Sequence, residues 1–429
     1  MADVADRDVG ESGAGEEAPS TWAGRFKVVG PGLVMAATGV GAGDMVSSLA
    51  AGTSFGTTLL WAILAGVLIK FTLTEGIGRW YMASGQTIVE GWHSLGRLAS
   101  GYFVVYLLLA TFVFGAAGPS ASALAVTAMF PGVLPLWAWA VIHGFVFGFV
   151  LLIIGRYGLF ERIMKIFVGL MFVTVVGLAI LLTPGLGELA LGTVPRVPEG
   201  SLLNVLAVIG GVGGTFTLAS YPYWARERGW RSSPWIPTMR VDLGVGYAIT
   251  GLFMVAMLVI GAEFLFGTGR AISGDEGLLA VSDPLGERFG SVAKWMFLIG
   301  FWSATTSSIL GAWNGSAHVF SDCVRVFREA PDDEAERYLG EKSPYFRGFL
   351  VFMTFPPMFL LFLGQPVLLV IIYAALGTLF FPFLAATLLW LLNRRVAPEY
   401  RNRIFSNVLL GASVLLFVVL GANELLGIV

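Results

Sequence analysis

The sequence contains few charged residues. Asp, Glu, Lys and Arg make up 13% of its 429 residues, roughly half the share that a soluble domain carries. Hydrophobic residues make up 56%, and the mean hydropathy is +0.80. This composition excludes a soluble protein of this length and indicates a helical protein that crosses a membrane many times.

Cysteine is nearly absent as well. The single cysteine, Cys323, excludes an intramolecular disulfide and a cysteine metal cluster.

The sequence has no phosphate-binding glycine loop, no HExxH pattern and no nucleophile triad, so no enzyme activity and no cofactor are expected. The net charge of −2 gives no sign of nucleic-acid binding. The expected partners are the lipid bilayer and a small ion or small-molecule substrate, with no nucleic acid and no obligatory protein partner.

Eleven apolar segments reach the length of about 20 residues that crosses a bilayer. We number them spans 1 to 11, and they lie near residues 28–52, 57–83, 101–129, 134–155, 158–183, 201–225, 241–267, 290–322, 346–364, 366–392 and 405–428. Residues 1–24 are acidic and small and lack the apolar core of a signal peptide, which predicts a disordered cytosolic tail. Residues 25–429 are expected to form one transmembrane transporter domain.

Lysine and arginine are distributed unevenly between the two sets of loops. With a cytosolic N-terminus, 21 of the 26 lie in the tail or in cytosolic loops, and four lie in outer loops. Cytosolic loops of membrane proteins carry the excess of these residues. The sequence therefore predicts a multi-pass protein of a cell inner membrane or plasma membrane, with its N-terminus in the cytosol and its C-terminus outside.

Spans 1 and 6 each contain a cluster of glycines in the middle. Span 1 reads GVGAGD at residues 39–44, and span 6 reads GGVGGT at residues 210–215. Each glycine weakens a helix by about 1 kcal/mol relative to alanine, so both clusters favour unwinding, although glycines also allow close helix packing. Helices interrupted at corresponding positions of two halves indicate a transporter site between inverted repeats. The repeats would cover about residues 28–183 and 201–392, with an extra helix at about 405–428.

Asp44 follows directly after the break in span 1. A carboxylate inside a membrane is costly and by default indicates a functional site. Beside the free carbonyls of a broken helix, it would form an oxygen site for a cation. The alternative is that Asp44 caps the second half of span 1, although Asn or Ser would do so without a charge.

These residues resemble NRAMP-type divalent-metal transporters along nearly the whole chain. GPGLVMAATGVGAGDMVSSLAAGTSFGTTLLW is similar to their first helix, and LLAVSDPLGERFGSVAKWMFLIGFWSATTSSILGAWNG to their long loop and eighth helix. VIGGVGGTF and FFPFL stand where the family has its broken sixth helix and the Pro-Phe pair of its tenth. The resemblance implies an all-α, LeuT-like fold of inverted five-helix repeats with broken helices 1 and 6, eleven transmembrane helices and substrate held between helices 1 and 6.

The site residues depart from the family pattern. Where the family has Asp-Pro-Gly-Asn in helix 1, this chain has Gly41-Ala42-Gly43-Asp44, and Gly214 replaces the family's metal-binding methionine in helix 6. Carried over position by position, the resemblance implies Asp44 and the carbonyls of Thr38 and Gly211 as metal ligands. The full set of candidate binding residues is Asp44, Thr38, Gly41, Gly211, Gly214, Thr215 and Thr217, in which the two hydroxyls of span 6 could equally bond back to their own helix.

Ligand chemistry then favours a hard ion. A site with one carboxylate, no sulfur and many small residues suits Mg²⁺ or Mn²⁺ better than a soft ion, and Mg²⁺ keeps several of its waters. The acidic proton relay of the family's third helix is missing from FVFGAAGPSASALAV, so proton coupling is not expected. We therefore expect a secondary transporter of a hard divalent cation. The alternatives are a transporter of an organic cation or amino-acid-like substrate, and a non-transporting sensor.

Three other ionisable residues inside spans are candidates for coupling or gating. Lys70 lies near the middle of span 2, with Glu75 five residues later. Lys70 could substitute for a bound cation, or it could belong to a buried structural pair or snorkel. Residues five positions apart do not face each other on one helix, so a partner for Lys70 on another helix is as compatible with the sequence as Glu75. His143 in span 4 is a candidate ligand or proton carrier, and packing among aromatic residues is the alternative.

Overall fold

The structure, a computed structural model, describes residues 17–182, 185–266, 281–331, 334–362 and 366–426. Within these ranges the secondary structure is helical, with no strand. Helices occupy all eleven predicted span positions. Their bounds are Pro31–Gly39 and Ala42–Phe55 (span 1), Leu60–Ser84 (span 2), Arg97–Met129 (span 3), Leu136–Ile154 (span 4), Tyr157–Leu181 (span 5), Leu202–Gly211 and Tyr221–Glu227 (span 6), Ile236–Leu265 (span 7), Ser291–Phe327 (span 8), Pro344–Thr354 and Met358–Leu361 (span 9), Pro366–Arg394 (span 10) and Ile404–Leu426 (span 11).

Seven helical stretches among the described residues are long and apolar enough to cross a membrane. They are Gly43–Ser84, Arg97–Met129, Leu136–Ile154, Tyr157–Leu181, Asn204–Glu227, Ser233–Phe264 and Ala335–Leu361. Shorter apolar stretches at Leu379–Arg394 and Ile404–Val419 belong to spans 10 and 11. Span 8 is a continuous helix of 37 residues whose polar side chains are largely buried against spans 1, 3 and 5.

Span 1 is interrupted where the glycine cluster predicts. Its first half ends at Gly39, and Val40 and Gly41 have extended backbone conformations before the second half begins at Ala42. The break leaves the last carbonyls of the first half and the first N–H groups of the second half without partners inside the helix. These groups are therefore available to other spans or to a ligand.

Span 6 is interrupted more widely. Its first half ends at Gly211, and a short 3-10 turn over Phe216–Ser220 leads into the second half. Gly213 and Gly214 have φ angles of +71° and +82°, a region that L-residues rarely adopt. Two consecutive left-handed glycines turn the chain out of the helix, so this break depends on the absence of side chains there.

The predicted disordered segment, residues 1–24, lies only partly within the described residues. Residues 1–16 lie outside the described residues, but Trp22–Lys27 form a helix. The hydroxyl of Thr21 accepts a hydrogen bond from the N–H of Gly24 at 3.1 Å, and Arg25 donates to the carbonyl of Pro19. These local bonds begin a helical turn within a segment whose composition alone indicates disorder.

Span 7 holds the first half of span 1 in place. The two carboxylate oxygens of Asp242 accept hydrogen bonds from the N–H groups of Gly30 at 2.8 Å and Gly32 at 2.6 Å, and the Tyr221 hydroxyl donates to the second oxygen at 2.8 Å. Gly32 permits this approach, since a Cβ there would overlap the backbone carbonyl of Asp242. Asp242 therefore satisfies the positive N-terminal end of span 1 inside the protein.

Replacing Asp242 with alanine should destabilise the fold. The change removes three hydrogen bonds to a carboxylate and leaves buried N–H groups unpaired, at a cost on the order of 3 kcal/mol. Asp242→Asn keeps one acceptor and should cost less. We expect apparent melting temperatures in detergent to rank wild type, then Asp242→Asn, then Asp242→Ala.

The matched control is Glu263→Ala in the same span. Glu263 makes no hydrogen bond or ion pair to the described residues, so this variant should melt close to the wild type. Equal melting temperatures for Asp242→Ala and Glu263→Ala would contradict the anchoring role.

Candidate functional site

A cavity of about 290 Å³ lies where the breaks of spans 1 and 6 face each other. Spans 3, 8, 10 and 11 complete its wall. All seven candidate binding residues line it: Thr38, Gly41, Asp44, Gly211, Gly214, Thr215 and Thr217. The structure thus brings together residues that lie about 170 positions apart in the sequence, while their role as ligands remains a prediction.

Asp44 is the one carboxylate among the described residues of the cavity wall. The capping hydrogen bond considered as an alternative is present, because its Oδ2 accepts from the N–H of Gly41, although at a long 3.3 Å. A carboxylate offers about four lone-pair positions, so this bond and a further one from the backbone N–H of Gly213 leave acceptor capacity for a cation. Capping and ion binding are therefore compatible at this residue.

The last carbonyls of the first half of span 1 bond to span 8. Ser307 Oγ donates to the carbonyl of Ala37 at 2.8 Å, and Ser308 Oγ donates to the carbonyl of Thr38 at 2.9 Å. The Thr38 hydroxyl donates back to the carbonyl of Val34 at 2.7 Å, and the role of the Thr38 carbonyl as a ligand stays a prediction. A carbonyl oxygen has two lone pairs, and the second stays available to a ligand.

Lys70 reaches the break of span 6 from span 2. Its side chain is fully buried, and Nζ donates to the carbonyls of Gly210 at 3.0 Å and Gly214 at 2.7 Å. Nζ also lies 3.8 Å from the centroid of the Phe381 ring, within cation–π distance. Two backbone acceptors of the break are thus already bonded to an ammonium group that belongs to the chain.

The two threonines of span 6 differ in their bonding. The Thr215 hydroxyl is hydrogen-bonded to the hydroxyl of Tyr373. The Thr217 hydroxyl is buried and has no hydrogen-bond partner among the described residues. Neither makes the backbone bond considered from the sequence. Burying a hydroxyl costs free energy unless the hydroxyl is hydrogen-bonded. A bound ligand would therefore supply a hydrogen-bond partner to the hydroxyl of Thr217, whereas the hydroxyl of Thr215 already has one.

Glu75 and His143 lie away from the cavity wall. Glu75 bonds to Arg79 at 3.0 Å and to Arg240 at 2.9 Å, and it makes no hydrogen bond or ion pair with Lys70. His143 is bonded at Nδ1 to the carbonyl of Trp139 at 2.7 Å and accepts at Nε2 from Trp302 at 2.9 Å. Both ring nitrogens are occupied, which fits the packing interpretation of His143.

Sequence reasoning missed several residues of the wall. Tyr373, Phe114, Phe381 and Phe417 contribute aromatic rings, and no spacing pattern marks them in a chain with 33 phenylalanines. Ser308 lies in the hydroxyl-rich run SATTSS, which is a usable signal because buried hydroxyls inside membrane helices need acceptors.

The donors present define what the site can bind. Among the described residues no group of three or more His, Cys, Asp or Glu could hold a metal ion. The described wall contains no methionine or cysteine, so its donors are one carboxylate, hydroxyls and backbone carbonyls. Such a set matches a hard cation that keeps part of its water shell, and it does not match a soft ion bound by protein ligands alone.

Comparison with known families agrees with this architecture. The sequence model of the family described as natural resistance-associated macrophage protein-like (Nramp) matches residues 32–427. The chain belongs to the Nramp family. Curated relatives are distant: a divalent metal cation transporter of Mycobacterium tuberculosis is 26% identical over 67% of this chain and 69% of its own length. An uncharacterized protein of Pasteurella multocida is 23% identical over 59% of this chain, and the match spans only 60% of that relative's length.

Solved structures share the fold of this Nramp-family protein. A mutant of the manganese transporter of Eremococcus coleocola superposes with a TM-score of 0.75 at 16% identity, over 95% of this chain and 88% of the other. Mhp1, a nucleobase-cation-symport-1 family transporter, superposes with a TM-score of 0.52 at 15% identity, over 94% and 93% of the two chains. The likeness supports a LeuT-like arrangement and says nothing further about substrate.

The backbone at Gly214 should not tolerate a side chain. A Cβ would stand 2.6 Å from the Thr217 hydroxyl and 3.3 Å from Gly39, and the φ of +82° adds about 1–2 kcal/mol of strain for an L-residue. Gly214→Ala should therefore lower the apparent melting temperature in detergent, and Gly214→Met should lower it further.

Gly43→Ala is the matched control on the same cavity wall. Gly43 lies in the first turn of the second half of span 1, and a Cβ there meets nothing within 4 Å. Alanine favours a helix, so this variant should melt at or above the wild-type temperature. A Gly214→Ala variant as stable as Gly43→Ala would disprove the left-handed break.

Proposed function

We propose that this Nramp-family protein is a secondary transporter that moves a hard divalent cation inward by alternating access between its two repeats. One observation carries the proposal: the breaks of spans 1 and 6 open onto the same cavity, with Asp44 on its wall. Broken helices that meet in this way supply carbonyl oxygens and helix ends to a substrate. The carboxylate supplies the negative charge that a cation requires.

Mg²⁺ and Mn²⁺ fit the donors better than softer ions. Asp44 and the carbonyls of Thr38 and Gly211 would be the protein ligands, and Thr217 could bond to a water of the ion. At about 30 Å³ for each water, a volume of 290 Å³ holds on the order of ten molecules, enough for an ion with much of its shell. Mg²⁺ in particular is bound through one or two carboxylates and retains several waters.

Transport without proton coupling is part of the proposal. Span 3 contributes Phe114, Ala117, Gly118 and Ala121 to the wall, and none of these side chains can carry a proton. Apart from Asp44, the described wall has one further ionisable group, the phenol of Tyr373, which is bonded to Thr215. The wall therefore offers no chain of titratable groups that leads out of the cavity.

The family and its relatives support this class of function. The mycobacterial relative is named as a divalent metal cation transporter, and the Eremococcus protein as a manganese transporter.

We further propose a plasma-membrane or inner-membrane location, a cytosolic N-terminus and an outer C-terminus, on the distribution of Lys and Arg. The proposed repeats are residues 28–183 and 201–392, and no enzyme activity is proposed.

A small organic cation is the second candidate substrate. The observation that favours it is the aromatic part of the wall, formed by Phe114, Tyr373, Phe381 and Phe417. Aromatic faces attract ammonium groups, and a largely apolar pocket with a few polar groups is typical of sites for small molecules. Asp44 would then pair with the ammonium of the substrate.

Replacing Asp44 should abolish uptake. In proteoliposomes we expect influx of Mg²⁺ or Mn²⁺ into wild-type vesicles, with Ca²⁺ tested alongside and no change in internal pH. Asp44→Ala should reduce influx at least roughly tenfold, since losing a charged ligand costs about 1.5–3 kcal/mol. Isotope or dye flux and an internal pH indicator measure both quantities.

The control for charge loss is Glu263→Gln, which removes a span carboxylate that is not on the cavity wall. Its influx should equal that of the wild type. If folded wild-type protein moves none of the three ions, the metal proposal is wrong. Influx of methylammonium under the same conditions would then favour the organic cation, whereas unaltered influx in Asp44→Ala would place the site elsewhere.

A further inference from the structure

Lys70 has the surroundings of a bound cation rather than of an ion-pair partner. Its Nζ makes hydrogen bonds of 3.0 and 2.7 Å to backbone carbonyls and lies against the face of Phe381. No carboxylate forms a salt bridge with it among the described residues. The nearest negative group that acts on it is Asp44, which attracts it electrostatically without direct contact.

The carbonyls of Gly210 and Gly214 can accept from Lys70 because span 6 is broken. In a continuous helix the carbonyl of Gly210 would bond to the N–H of Gly214, but the first half ends at Gly211, and Gly214 adopts a left-handed conformation. The carbonyl of Gly214 turns toward the same point. Convergent carbonyls of this kind replace the water shell of monovalent cations in membrane proteins.

Charge balance gives the ammonium a second role. With Lys70 protonated and Asp44 ionised, the site carries no net charge, which lowers the cost of burying each group inside the membrane. Span 2 is continuous from Leu60 to Ser84, so the ammonium is attached to a helix that is not itself interrupted. When Lys70 is protonated, the chain therefore supplies a positive charge to the break of span 6 without taking an ion from solution.

We propose that the carbonyls of Gly210 and Gly214, together with the face of Phe381, form a monovalent-cation site that the chain fills with its own Lys70. The ligand class of this site is a primary ammonium or an alkali cation, and the natural occupant is tethered. A consequence, which rests on the proposed transport function, is that the cycle needs no free Na⁺ or K⁺ as a coupling ion. The cation site itself does not depend on what is transported.

Removing the tethered ammonium should create a requirement for a free one. The test uses purified full-length Lys70→Ala in detergent and follows thermal unfolding in choline, sodium, potassium and methylammonium chloride at equal ionic strength. In choline, which is too large for the site, the variant should melt about 5 °C or more below the wild type, because two carbonyls lose their donor. Methylammonium or an alkali cation should restore the melting temperature with a saturable concentration dependence.

Three comparisons make the result specific. The melting temperature of the wild type should not depend on which of these cations is present. Lys70→Met fills the space with an apolar stem, so it should be destabilised and not restored by any cation. Lys165→Ala, which removes a partly exposed lysine paired with Glu161, should show no selectivity among the salts.

The outcomes that would overturn the proposal are equally definite. A Lys70→Ala variant that melts like the wild type in choline, or that responds to no cation, disproves the site. Keeping methylammonium present throughout purification gives the variant its best chance to fold, and failure to fold in methylammonium as well as in choline also counts against the proposal. Because no transport substrate is present, the result is independent of whether the flux experiment succeeds.

Discussion

A helix that is interrupted inside a membrane exposes backbone donors and acceptors that no bulk water can reach, and each needs a partner within the protein or its ligand. This constraint organises the structure. Ser307 and Ser308 of span 8 donate to the carbonyls at the end of the first half of span 1. Lys70 of span 2 donates to the carbonyls of span 6, and Asp242 of span 7 accepts from the N–H groups at the start of span 1.

Glycines at the contacts between spans 1, 6 and 8 explain why the cavity has its shape. Glycine is required where backbones approach each other, since a Cβ at Gly311 of span 8 would overlap Thr38 and a Cβ at Gly39 would lie 2.7 Å from Gly213. Small residues at these points let spans 1, 6 and 8 surround a common space without filling it. The cavity therefore exists because glycines let the broken parts of spans 1 and 6 pack closely against each other and against span 8.

Charge inside this space is limited to a few groups with distinct roles. Asp44 faces the cavity and caps the second half of span 1, while the ammonium of Lys70 is hydrogen-bonded to the carbonyls at the break of span 6. The described wall contains neither the asparagine nor the methionine that the resemblance places at the family's site, and its one carboxylate stands at the asparagine position. The fold of the family is thus retained while the donors at its centre have changed.

The sequence alone determined the features that depend on local composition. Apolar length gave the eleven spans, glycine clusters gave both breaks, and an isolated carboxylate pointed to Asp44, because each depends on neighbouring residues only. The tertiary structure decided which groups meet. Lys70 and Gly214 are 144 positions apart, Thr215 and Tyr373 are 158 apart, and Gly30 and Asp242 are 212 apart. Such pairs leave no periodic signal in one sequence, since their contact is set by how whole helices pack.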